Sequence, residues 1–152
     1  MTVTNRVMAA RSSRGFSLIE LLMALAIVAI LASIAVPSFT EAINRAKRGD
    51  AKAFLMQLSS DQESFYARNF SYANSITAVG QLEYNDLLSP ESHYTATLVV
   101  LPAGCAAGVN ACRTYSFTLT PVGLDAKCTT ITLSGSGVRD STGAGSVTDC
   151  WR

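Results

Sequence analysis

One carboxylate in this sequence sits where carboxylates are expensive. Between Phe16 and Phe39 nearly every residue is Leu, Ile, Ala, Val, Met or Phe, and Glu20 is the only charge. An ionised side chain within a bilayer costs at least about 2.5 kcal/mol on insertion scales, so it usually has a partner or a task. Near a helix N-terminus Glu20 would favour the dipole and snorkel toward the headgroups. Four cysteines, Cys105, Cys112, Cys128 and Cys150, are the second candidate chemistry, and all lie in the C-terminal half. An even count in a small exported domain reads as two disulfides, because a small core gains from cross-links and the compartment oxidises them. Four cysteines allow three pairings. The expected one is Cys105–Cys112 with Cys128–Cys150, each closing a local segment between predicted strands. Zinc is the rival, but C-x6-C and C-x21-C are poor zinc spacings and export argues against it.

The other candidates lack parts. His93 stands alone in a loop beside Pro90 and Glu91, where nothing completes a catalytic triad, so a solvated surface histidine is expected. Asp125, Asp140 and Asp149 could gather around calcium, but no run has the dense acidic spacing of a calcium loop. No enzyme, metal or cofactor is therefore expected.

These residues need elements to position them. About 20 apolar residues in a helix span the roughly 30 Å of bilayer hydrocarbon, so residues 16–36 are expected to form a membrane helix. Arg6, Arg11 and Arg14 precede it with no acidic residue, which holds that end in the cytoplasm and translocates the rest. The hydrophobic fraction of 49% and mean hydropathy of +0.27 owe their excess to this run. Without residues 1–15 the chain keeps nine basic against eleven acidic residues, formally −2, which offers no global attraction for nucleic acid. Pro37 removes a backbone donor and should kink the helix rather than stop it.

Beyond Pro37, the positions Phe39, Ile43, Ala46, Ala53, Phe54, Leu58 and Phe65 recur at steps near three and four, an amphipathic helix with one buried stripe. Glu41, Arg45, Arg48, Lys52, Asp61 and Arg68 fall on the other face. A continuous helix from Phe16 to about Ala67 would be on the order of 75 Å long. Phe65, Tyr66, Phe70 and Tyr72 should anchor its end on a head. Residues 73–92 read as an irregular connection with room for a short helix around Gln81–Leu88. Tyr94–Leu101, Thr114–Pro121 and Thr129–Ser134 alternate hydroxyl and apolar residues as half-buried strands do, and short connections make them an antiparallel meander. The tail from Gly135 to Arg152, rich in Gly, Ser and Thr, would be disordered unless a bridge pins it.

Gly15-Phe16-Ser17-Leu18-Ile19-Glu20, after a basic leader and before a long apolar helix, resembles the class III signal of type IV pilins. Gln62-Glu63 with its following aromatics, and Cys128-Thr129-Thr130-Ile131-Thr132-Leu133 with Asp149-Cys150-Trp151, are also similar to that family, most of all to PilE-like minor pilins. The resemblance covers nearly the whole chain after residue 15 and departs in the extra pair Cys105 and Cys112. It implies the α+β pilin fold, with the long N-terminal helix packed on an antiparallel meander and a disulfide-bounded C-terminal loop. Three parts follow: a leader at 1–15, a transmembrane and assembly helix at 16–36, and the amphipathic half with the globular head at 37–152. Further implications are cleavage between Gly15 and Phe16 by a prepilin peptidase, N-methylation of Phe16, and pairing of Glu20 with that new amino group on a neighbouring subunit. The implied partners are other pilins, the peptidase and the inner membrane before assembly, with an extracellular pilus afterwards.

Three functions compete. The first is a structural pilus subunit, a minor pilin that primes assembly or joins the filament in adhesion, twitching motility or DNA uptake. The second is a pilin-type binding module whose head makes weak contact with DNA or a surface, for which Arg113, Lys127, Arg139 and Arg152 are the available basic residues. A pseudopilin of type II secretion stands beside it, disfavoured by the cysteines. The third is an unrelated secreted protein with an ordinary signal peptide cut near Ser33-Ile34-Ala35, which leaves Glu20 unexplained.

Overall fold

The computed structural model describes residues 15–152. The leader expected over Met1–Gly15 lies outside the described residues apart from Gly15 itself. The element order is α1 (Leu18–Asn69), β1 (Tyr94–Leu101), β2 (Thr114–Pro121), β3 (Thr130–Ser134), β4 (Arg139–Thr142) and α2 (Val147–Trp151). The chain divides after Thr40 into two units.

In the first unit, Leu, Ala and Met supply the propensity for helix. Glu20 in the first turn of α1 and Arg68 in its last turn complement the dipole. Every side chain described up to Thr40 is exposed, and the most apolar window of α1 has a mean hydropathy of 2.7. Two of its polar side chains are satisfied by the helix backbone: Ser33 Oγ donates to the Ile30 carbonyl at 2.7 Å and Thr40 Oγ1 to that of Val36 at 3.1 Å. Pro37 does not end α1, which continues to Asn69.

In the second unit α1 becomes one-sided. Ala51, Phe54, Leu55, Leu58 and Phe65 are buried, together with Arg48 and Gln62. The stripe expected from sequence is thus rotated: Phe54, Leu58 and Phe65 belong to it, whereas Ala46 and Ala53 are exposed and Arg48 is buried instead of solvated. The buried line steps through 48, 51, 55, 58, 62 and 65, and two polar residues occupy it because each has partners in the head. α1 ends at Asn69, and Phe70 directly after it has a left-handed φ of 52°. Asn69 Nδ2 donates to the Phe65 carbonyl at 2.9 Å, tying the last turn's side chain back onto the helix. Phe65 is buried and Tyr72 half-buried, but Phe70 is 77% exposed, so it does not anchor the helix end.

The four strands form one antiparallel sheet in chain order. Tyr94 faces Pro121 and Leu98 faces Phe117 across β1 and β2, and Leu119 faces Ile131 across β2 and β3. Alternation sends Tyr94, Ala96, Tyr115, Phe117, Leu119, Ile131 and Leu133 into one core with the helix residues Phe54, Leu55 and Leu58. The opposite face is largely Thr and Ser, with Thr118 and Thr132 hydroxyls 3.2 Å apart. Residues 81–88 contain turns but no helix, contrary to expectation. The tail forms β4 and α2, neither of which was expected. Gly143 is why this packing closes: its φ is +126°, and a Cβ there would lie 2.5 Å from the Lys127 carbonyl oxygen.

Candidate functional site

Gly15, Phe16 and Ser17 precede the first turn of α1, and Glu20 sits within it. Phe16 and Glu20 border one open hollow together with Gly15 and Ser17. Glu20 has no ion-pair or hydrogen-bond partner among the described residues. An exposed carboxylate is therefore embedded in an exposed apolar surface, which includes Leu18, Ile19, Leu21 and Leu22. Such a surface is stable only when covered by lipid or by other helices.

The head holds a second charged constellation that sequence reasoning missed. Arg48, 1% exposed, donates from Nε and Nη2 to the two carboxylate oxygens of Asp125 at 2.6 and 2.7 Å, a bidentate pair. Its Nη1 reaches Glu41 Oε1 at 3.0 Å, and Lys127 Nζ lies 3.5 Å from the same oxygen. Asp125 also accepts the N–H groups of Lys127 and Cys128, each at 3.2 Å. Burial alone would raise the Asp125 carboxyl, but the Arg48 guanidinium and these N–H groups outweigh it and hold the pKa below the ordinary value. Asp125 raises the Arg48 pKa in return, against a smaller opposing effect of burial. Stepping the buried helix line back by three from Ala51 lands on position 48; that periodicity was the available signal.

This pair fixes the chain just before Cys128, where a disulfide takes over. Cys128 is bonded to Cys150 with a Cα separation of 5.8 Å, and Cys105 to Cys112 with one of 5.0 Å. The shorter loop is held by the start of the 70–93 connection: Tyr72 N–H donates to the Cys112 carbonyl at 3.0 Å, and Asn74 Nδ2 to that of Cys105 at 2.9 Å. Gln62 explains its own burial here. Its amide donates to the Ala73 carbonyl at 2.9 Å and accepts the Ala73 N–H at 2.8 Å, as a neighbouring strand would. Beyond the bridge, Ser146 and Asp149 cap α2 reciprocally, and the Ser146 hydroxyl and N–H lower the Asp149 pKa.

The four basic residues proposed from sequence do not all meet. Lys127 is half-exposed, 3.9 Å from Asp149. Arg139 lies over the Trp151 ring at 5.1 Å, and Trp151 Nε1 donates to the Asp140 carbonyl at 3.0 Å. Arg152 follows Trp151, with Lys52 Nζ donating to its backbone carbonyl. Arg113 belongs instead to the segment between Cys112 and β2, exposed beside Tyr72 and Tyr115. His93 is half-buried rather than fully solvated. Among the described residues no group of three or more His, Cys, Asp or Glu side chains is placed to hold a metal ion.

A helix that exposes an apolar half with one carboxylate, and then lays its other half on an antiparallel sheet closed by a C-terminal disulfide loop, defines the type IV pilin class. Comparison with known proteins agrees. Residues 10–36 match the prokaryotic N-terminal methylation motif, and residues 37–132 match the family described as type IV minor pilin ComP, DNA uptake sequence receptor. The chain is 33% identical over 113 residues to the type IV wide pilus major component PilA4 of Thermus thermophilus, covering 73% of this chain and 84% of that one. It is 40% identical over 68 residues to the type IV major pilin protein PilA of Myxococcus xanthus, covering 45% of this chain and 31% of that protein's length. The chain belongs to the type IV pilin family. It is a structural subunit of a pilus, interacts with other pilins in the filament, and has a membrane-anchored precursor.

Proposed function

We propose that this pilin is a minor subunit that enters or primes the filament after a peptidase cuts between Gly15 and Phe16. The precursor's leader faces the cytoplasm and its head the periplasm, as the three leader arginines favour. Phe16 then carries an N-methylated amino group, and Glu20 pairs with the amino terminus of a neighbouring copy or relative. Pro37 is the point at which we expect the packed helix to bend. The observation that carries this reading is Glu20, a carboxylate with no partner among the described residues, set in an exposed apolar surface. Mass spectrometry of the N-terminal peptide tests it: a chain beginning at methylated Phe16 is expected, and one beginning near Val36 sinks the proposal. Gly15→Leu should block processing, because the larger side chain obstructs the cleavage site.

A second reading concerns the head. The matched minor-pilin description names DNA, and Lys127, Arg139 and Arg152 accompany the C-terminal helix with Trp151. Each phosphate contact made by these cations would steepen the salt dependence of binding by about one unit in the log–log slope. Replacing all three by Gln should flatten that slope; an unchanged slope removes these residues from the contact.

A further inference from the structure

One cavity in the head gathers polar side chains that the fold leaves unused. It opens between α1 and the turn joining β2 to β3, with a volume of about 210 Å³. Asn44, Lys47, Ser92, His93 and Tyr94 line it, and none of their side chains has a hydrogen-bond or ion-pair partner among the described residues. Ser92 is exposed at the lip, but Asn44, Lys47 and His93 are half-buried and Tyr94 is 1% exposed. The hydroxyl of so buried a tyrosine ordinarily finds a partner within the fold. This one is not sealed off as the Ser141 hydroxyl is, so the small part of Tyr94 left open includes it, and the cavity is where it opens. Burial, and after it the Asp125 charge, raise its pKa to about 12, so it stays a protonated donor. The neighbouring carboxylates are already engaged. Asp50, one turn on from Lys47, accepts the Ser89 hydroxyl at 2.5 Å, and Asp125 on the cavity wall is held by Arg48. Lys47 is thus the one charged lining residue without a counter-ion among the described residues; Glu91, beside Ser92, is exposed. The His93 carbonyl accepts the Val122 N–H at 2.9 Å, which holds the turn in place and adds Pro121 and Val122 as an apolar wall.

We propose that this cavity binds a small hydroxylated carboxylate of the uronic-acid class, with Lys47 on the carboxylate and Asn44, Ser92 and Tyr94 hydrogen-bonding to the remaining oxygens. One cation among several neutral donors suits a single negative charge. A phosphate dianion would bring a second charge close to Asp125 and Glu91 with no second cation to offset it. The hydroxyl and amide groups match ligand hydroxyls, and Pro121 and Val122 offer an apolar surface to the C–H groups of a sugar ring. The volume lies below the roughly 300 Å³ at which pockets for drug-sized ligands begin, so the space suits one sugar unit rather than a protein segment. The site gives the head a ligand of its own, whatever place the subunit takes in the filament.

The test titrates the full chain, held in micelles of a polyoxyethylene detergent that brings neither charge nor sugar, and follows amide shifts by NMR. The probes are glucuronate, glucose, acetate and inorganic phosphate. Glucuronate should move the amides of Lys47, His93 and Gly123 saturably while those of the loop between Cys105 and Cys112 hold still. Glucose lacks the charge and acetate the hydroxyls, so each should bind about tenfold more weakly or worse. Lys47→Met should weaken glucuronate binding about tenfold, and Tyr94→Phe about fivefold. Neither change should lower the unfolding midpoint, because neither side chain has a polar partner to lose among the described residues. An unmoved spectrum with glucuronate overturns the site. Acetate binding as well as glucuronate overturns the hydroxylated ligand, and phosphate binding as well overturns the carboxylate. A Tyr94→Phe chain that unfolds earlier yet binds as before would make that hydroxyl structural and overturn its place in the site.

Discussion

The two units of this chain treat polarity in opposite ways. From Gly15 to Thr40 the surface is apolar and exposed, and the one charged side chain of that stretch, Glu20, has no partner among the described residues. From Glu41 onward the apolar surface is largely turned inward; even buried charge is satisfied, Arg48 by Asp125 and Glu41, and the buried amide of Gln62 is met by the backbone of Ala73. One region is energetically incomplete; the other is nearly complete, with the Ser141 hydroxyl its one fully buried side-chain polar group lacking a partner among the described residues. Assembly is the natural task of the first, because its free energy is realised only against lipid or other helices. Specificity is the natural task of the second, because a self-sufficient core leaves its surface free to vary.

The comparison breaks first at Glu20. Glu20→Ala should abolish or nearly abolish recovery of the subunit in sheared pili while leaving membrane insertion intact, because removing a charge from an apolar helix only favours insertion. Immunoblots of the pilus and membrane fractions read both outcomes, and normal incorporation would remove Glu20 from assembly. In the head the corresponding cut is Arg48→Met, which strands Asp125 in a buried place and should cost about 3–5 kcal/mol. The double change Arg48→Met with Asp125→Leu should recover much of that, since the loss is chiefly an uncompensated charge rather than a lost attraction. A double variant as unstable as the single one would show that packing, not charge, holds this site.

Acid sharpens the same contrast. The Asp125 carboxyl titrates below its ordinary value in the folded chain, so its contribution is complete above that ordinary value and is lost as pH falls through the lower folded one. Denaturant midpoints measured down that range should fall more steeply for the wild-type chain than for the Arg48→Met, Asp125→Leu variant. Next in size is the bridge. Replacing Cys128 and Cys150 by Ser should cost roughly 3 kcal/mol in the chain-entropy account and release the tail to proteolysis. The 105–112 bridge closes a much shorter loop and should cost less, roughly 2.5 kcal/mol in the same account.

What was legible in the sequence follows the same division. The apolar helix, Glu20 and the strand alternation of Thr114–Pro121 are local patterns, and local patterns survive reading without coordinates. The buried side of α1 was less legible because Arg48 and Gln62 occupy it, and a polar residue on a core line looks solvated until its distant partner is known. Phe70 misled in the opposite sense: an aromatic at a helix end suggests an anchor, yet its left-handed backbone turns the ring outward. β4 was hidden by its composition. Arg139-Asp140-Ser141-Thr142 has no apolar alternation, and its strand geometry comes from pairing with β3, as in Ile131 opposite Ser141.

α2, by contrast, carried a signal in plain view. Ser146-Val147-Thr148-Asp149 has the spacing of a capping box, and the structure makes both of its bonds, Asp149 N–H to Ser146 Oγ and Ser146 N–H to Asp149 Oδ2, each at 3.1 Å. A helix of five residues has little intrinsic stability, so it depends on this cap and on the Cys150 tether. Ser146→Ala should therefore cost about 1 kcal/mol, the usual worth of a lost cap, and the loss should be felt locally. Hydrogen exchange at the Cys150 and Arg152 amides should quicken while that of Phe117 and Leu119 in the core stays as it was. Were the core amides to quicken equally, the tail would be part of the head's cooperative unit, and the boundary between a self-sufficient core and a free surface would have to be drawn beyond it.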